Sequence, residues 1–242
     1  MANPLALATL PPGLVWQADR LAGSAAPGLP TGFAALDAQL PGGGWPRGAL
    51  IELLAARPGV GELSLLLPLL RSTPADHWLA WIAPPRLPYA PALAAAGVPL
   101  ERLLLVRTAS DAETLWATRQ ATASGACTAV LAWPGRVDNA GLRRLQLAAE
   151  DSATPLFLFR PADAARQPSV AALRLQLSAR AGRLLVHILK RRGPAPGAPV
   201  ELVLPQRPGL RTESKLSPPS LHVLARPAPA RPALAGLHPR HS

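Results

Sequence analysis

The run Ala49–Leu70 constrains the fold more than any other part of the chain. Ala49–Leu54 is apolar apart from Glu52, residues 55–61 are mostly small and include two glycines, and Glu62–Leu70 is a leucine-rich helical stretch. Strand, short glycine loop and helix is the layout of a phosphate-binding loop, in which backbone N–H groups cradle an anion and a lysine and a hydroxyl follow. Ala56 stands at the first glycine position and Gly61 at the second, with Arg57, Pro58, Gly59 and Val60 between them. Glu62 then replaces the lysine, and Leu63 replaces the hydroxyl that would bind Mg²⁺. A lysine about 4 Å from a phosphate charge gains roughly 4 kcal/mol at an effective dielectric near 20, and a glutamate there repels by a similar amount. The helix N-terminus still favours an anion, and Glu62 itself supplies one. Ser64 cannot stand in for Leu63, because one step turns a side chain about 100° around the helix. The expectation is the scaffold of a nucleotide site with no bound cofactor and no metal.

The remaining composition sets limits around that loop. At 242 residues and 49% hydrophobic, the chain can bury one large domain with tails to spare. It has no run of eighteen apolar residues without charge or proline, and Met1–Pro4 carries no basic leader ahead of an apolar stretch. A cytoplasmic protein without membrane contact is expected. Cys127 is the single cysteine, so an internal disulfide and a cysteine-based zinc site are excluded. The formal net charge of +11 points to an anionic partner such as nucleic acid. However, the charge is almost all arginine and mostly scattered, as GC-rich coding alone would produce.

Three regions follow from composition. Residues 1–30 form an N-terminal arm and linker, with Trp16 as a candidate anchor on a partner. Residues 31–205 read as one α/β domain. Residues 206–242 hold seven prolines and six basic residues against one acid, the composition of a disordered basic tail that could touch DNA. Within the domain, short apolar strands near 49–54, 77–82, 102–107, 128–133 and 155–160 alternate with helices. The helices are expected near 33–40, 62–70, 91–96, 111–124 and 139–150, and Ser110-Asp111-Ala112-Glu113 opens one of them as a capping box. Three consecutive strands then follow, at 173–177, 183–190 and 201–204, read as antiparallel additions to a mostly parallel sheet.

The order Thr31-Gly32, Leu36-Asp37, the turn Pro41–Gly48, strand and loop resembles the approach to the ATPase core of RecA-type recombinases. That layout implies a catalytic glutamate after the strand ending at Ile82, where the chain reads Ala83-Pro84-Pro85-Arg86. It implies an acid ending the strand 128–133, where Ala132 and Trp133 stand, and a polar sensor after Phe159, where Arg160 and Pro161 stand. Phosphate charge, metal ligand and water activation are all missing, so phosphoryl transfer is not expected. The histidines show no metal-ligand spacing, and no nucleophile elbow is present.

Taken with Val15–Asp19 and Lys190-Arg191-Arg192-Gly193, the run resembles the ImuA family, RecA-like proteins associated with translesion DNA synthesis and also labelled SulA-like. The resemblance covers about residues 13–205. It implies a RecA-like core and a non-catalytic adaptor role in mutagenic repair. The implied partners are the Y-family-like protein ImuB, RecA and, indirectly, an error-prone polymerase. It also implies that Lys190 and Arg192 reach a neighbour's nucleotide cleft. Two rival readings stand beside it: a DNA-stimulated ATPase, and a SulA-like inhibitor of cell division.

Overall fold

The computed structural model describes residues 27–193, 195–204 and 222–224. The arm with Trp16 and most of the basic tail lie outside the described residues.

Among the described residues nine strands form one sheet: β1 (Leu50–Ala55), β2 (Trp78–Ile82), β3 (Leu103–Val106), β4 (Cys127–Ala132), β5 (Leu156–Pro161), β6 (Leu173–Arg180), β7 (Arg183–Lys190), β8 (Val200–Leu202) and β9 (His222–Leu224). Their spatial order is β8-β7-β6-β1-β5-β4-β2-β3-β9. Among the described residues five α-helices accompany them: α1 (Ala34–Asp37), α2 (Glu62–Arg71), α3 (Ala90–Ala95), α4 (Asp111–Ala123) and α5 (Asn139–Ser152). The mixed α/β class and the mostly parallel sheet are as expected.

Two details differ from the sequence reading. β6 pairs parallel to β1, so only β7 runs against the rest, antiparallel to β6 on one side and β8 on the other. Alternating Leu173, Leu175 and Leu177 tell which face is buried, but not which strand is the neighbour or in which direction. The tail reading also needs correction at three residues, since His222–Leu224 pairs parallel with β3 at the sheet edge.

Both faces of the sheet are buried at its centre, which is why β1, β2, β4 and β5 are largely apolar, with Glu52 and Arg160 as the charged exceptions. Ile51, Leu53, Phe157 and Trp81 pack beneath Leu65, Leu66, Leu69 and Leu70 of α2. Leu50, Leu156, Leu158 and Val130 pack beneath Leu142, Leu145 and Ala149 of α5.

The motif Thr31-Gly32 with Leu36-Asp37 has a structural explanation. Asp37 Oδ1 accepts the Thr31 N–H at 2.9 Å and Thr31 Oγ1 accepts the Phe33 N–H at 3.1 Å. Gly32, at φ +83°, leaves no room for a Cβ, which would fall 2.5 Å from Cβ of Pro68 on α2.

At α4 the Ser110 cap forms as read, and Glu113 reaches back to the residue before the cap. Ser110 Oγ accepts the Glu113 N–H at 3.2 Å, and Glu113 Oε2 accepts the Ala109 N–H at 2.8 Å. Ser110→Ala is therefore expected to cost about 1 kcal/mol, measured as a fall in the urea midpoint at constant slope.

Candidate functional site

In an open α/β sheet, ligands bind beyond the carboxyl ends of the strands where the connections diverge. Here that place lies over β1, β5, β4 and β2. A cleft of about 840 Å³ opens there, lined by residues of the loop after β1, by Pro84–Pro88 after β2, by Trp133 and Pro134 after β4, and by Phe159–Pro161 at the end of β5.

The loop after β1 has the geometry of an anion cradle. Gly59 and Gly61 both sit at positive φ, +84° and +115°, and Gly61 caps α2. The cradle is filled by the chain itself. Glu62 Oε1 accepts the Gly59 N–H at 2.7 Å, and Oε2 accepts the Gly61 N–H at 3.0 Å. The two donors that would face a phosphate face the carboxylate of a residue three and one positions further on. Leu63, at the hydroxyl position, packs against the core with Val60. Leu204 closes the other side of the loop, with its Cδ1 2.4 Å from where a Cβ on Gly61 would stand. Gly61 is thus held by both its backbone conformation and its neighbour.

The walls of the cleft are apolar. Trp133 and Phe159 stack face to face, with centroids 4.3 Å apart and planes 7° apart, and Trp81 leans on Trp133 at 5.8 Å. The turn after β4 is pinned by Asp111, the first residue of α4, whose two carboxylate oxygens accept the N–H groups of Gly135 and Arg136. Ala83, just past β2, sits at φ +53° and donates its N–H to Val106 O.

Under the end of β5 lies a buried ionic cluster that the sequence reading missed. Glu52 of β1 is fully buried. Its Oε1 accepts from Arg160 Nη1 and its Oε2 from Arg174 Nε, both at 2.5 Å. Arg174 also donates to the carbonyls of Ala164 and Gln167, and Arg160 to Gln167 Oε1. The cluster ties β1, β5 and β6 to the turn that follows β5. The signal was a lone acid inside a strand buried on both faces, since a buried carboxylate needs a partner.

Lys190 and Arg192 lie elsewhere. Lys190 pairs with Arg174, which pairs with Glu52, so it sits toward the amino ends of the parallel strands, away from the loop. Its Nζ donates to Ser169 O at 2.7 Å, and Arg192 Nη2 lies 3.5 Å from Glu150 Oε1. These two cations and the loop after β1 are not brought together within the chain. Among the described residues no cluster of histidine, cysteine and acids could hold a metal, and no helix is long and apolar enough to cross a membrane. Burial pushes the Cys127 thiol up to about 11, so it stays protonated at neutral pH and is no nucleophile.

Fold and site together define an α/β domain in which the loop after β1 directs two backbone N–H groups at its own glutamate. The family described as cell division inhibitor SulA matches residues 49–155, the segment that forms the loop and much of the cleft. The cell division inhibitor SulA of Photorhabdus laumondii subsp. laumondii is 32% identical over 114 residues, covering 47% of this chain. The chain spans 64% of that relative's length. The crystal structure of SulA from Pseudomonas aeruginosa is 28% identical, covering 46% of this chain and 97% of that one, with a TM-score of 0.39.

Proposed function

We propose that this chain is a non-enzymatic, SulA-like inhibitor of cell division that acts by binding another protein. The observation that carries this reading is the position of the similarity. It runs from Ala49 to Pro155 and so takes in the loop in which Glu62 fills the anion cradle. A domain that keeps the loop but blocks it has its surfaces left to work with. Producing the chain in bacterial cells is expected to stop septation and give filaments, without ATP turnover by the purified protein. Cells of normal length at high expression would overturn it.

A second reading, an adaptor in translesion synthesis with a RecA-like core, is favoured by a different observation. The sheet continues past the matched segment through β5, β6, β7 and β8, which similarity to SulA leaves unexplained. In that reading Lys190 and Arg192, together with Trp16, contact RecA or ImuB, and the basic tail can touch DNA. Loss of damage-induced mutagenesis on deletion, with division unaffected, would select it.

A further inference from the structure

The chemistry of the cleft lining is specific enough to name a ligand class. Its floor is the Trp133–Phe159 stack and its walls are rich in proline, with Leu87 left 67% exposed beside Pro84 and Pro88. A concave, largely apolar cleft with a few convergent charged groups is the usual form of a binding site, and Leu87 extends its apolar lining to the mouth. Three arginines, Arg57, Arg86 and Arg160, line the cleft against one carboxylate, Glu62. Both oxygens of that carboxylate are already satisfied by the loop. Arg160 brings further positive character, because it shares the single carboxylate of Glu52 with a second guanidinium, that of Arg174.

A nucleotide or nucleic acid fits this poorly. Its phosphate would have to displace Glu62 from the backbone donors. The ring faces of Trp133 and Phe159 that meet in the stack are covered by each other, which removes part of the platform on which a base would lie. Strand addition fits poorly too, since the prolines of the walls have no N–H to pair with a peptide backbone. Side chains must carry recognition: apolar groups entering the cleft, with carboxylates meeting Arg57 and Arg86 at the rim. Walls of proline and stacked rings also lose little freedom on binding.

We propose that the cleft is a docking site for an acidic segment of a partner protein that carries one or two large apolar side chains. This deepens the protein-binding reading above and rests on it. The test uses the purified full chain, so it can fail or succeed independently of the division assay. A short fluorescein-labelled peptide of glutamates around a central phenylalanine and leucine is titrated by anisotropy at two salt concentrations. The same peptide with lysines for glutamates serves as the opposite-charge probe. The acidic peptide is expected to bind about tenfold or more tightly than the basic one.

Arg57→Glu with Arg86→Glu is expected to weaken the acidic peptide about tenfold and to flatten its salt dependence. Leu87→Ser should weaken it several-fold at both salts. All three residues are exposed, so cooperative unfolding should be retained and is checked first. Because the whole chain is basic, Arg143→Glu with Arg144→Glu on the exposed face of α5 is the charge control, expected to leave binding unchanged. Equal loss in that control, equal binding of the two peptides, or unchanged binding in both cleft variants would each overturn the proposal.

Discussion

Glu52→Gln is expected to lower folding stability by about 3–5 kcal/mol, the usual result of removing one partner from a buried ion pair. The glutamine keeps the shape and loses the charge. Two guanidinium groups, on Arg160 and Arg174, would then be left buried without a counter-ion: their side chains are 7% and 8% exposed, and that of Glu52 is 0%. Arg174 keeps its carbonyl partners at Ala164 and Gln167, which moderates the loss but neutralises nothing. Urea unfolding followed by tryptophan fluorescence should show the midpoint fall sharply. The matched triple change to methionine at Glu52, Arg160 and Arg174 is expected to recover most of the loss, because burying three charges costs several kcal/mol per ion that hydrophobic packing does not. A loss below about 1 kcal/mol for the single change would mean the cluster is open to water and does not tie β1, β5 and β6 together.

That cluster also shows where reading the sequence stops. The strands and helices announced themselves by local signals. Leu142 and Leu145 mark the buried face of α5, although Leu147, apolar like them, is 51% exposed; Ser110 and Glu113 mark its neighbour's cap, and the loop 55–61 the turn between β1 and α2. Pairing across the sheet has no such local mark. Arg160 and Arg174 are 108 and 122 positions from Glu52, and no periodicity connects them. The same limit hid the cleft. Trp81, Trp133 and Phe159 each read as the end of an apolar strand, and only the order β1-β5-β4-β2 gathers those ends over one space. The degenerate loop was legible because all its parts are consecutive. What Glu62 does there was half legible: its charge and place at the helix start were plain, but its bonds to Gly59 and Gly61 needed the loop's left-handed turns.

Those two bonds make the second large effect. Glu62→Ala is expected to turn the loop into an anion site. The substitution frees the N–H groups of Gly59 and Gly61 and removes a charge that would repel a phosphate about 4 Å away by roughly 4 kcal/mol. At about 1.4 kcal/mol per tenfold, phosphate or pyrophosphate should gain up to roughly a thousandfold in affinity. Calorimetry should detect binding by the variant and none by the natural chain. Glu62→Gln should gain less, because an amide oxygen can still accept one of the two N–H groups. Losing an acid from the first turn of α2 costs about 0.3–1 kcal/mol, small enough for the fold to survive. Turnover is a separate matter. Even Glu62→Lys with Leu63→Thr, which rebuilds the loop's charge and hydroxyl, should hydrolyse no ATP, since Ala83, Ala132 and Trp133 supply neither base nor metal ligand. If Glu62→Ala and the natural chain bind phosphate equally, the loop is no anion cradle and Glu62 is not its occupant. If they differ as expected, the chain's own carboxylate is what keeps nucleotide out.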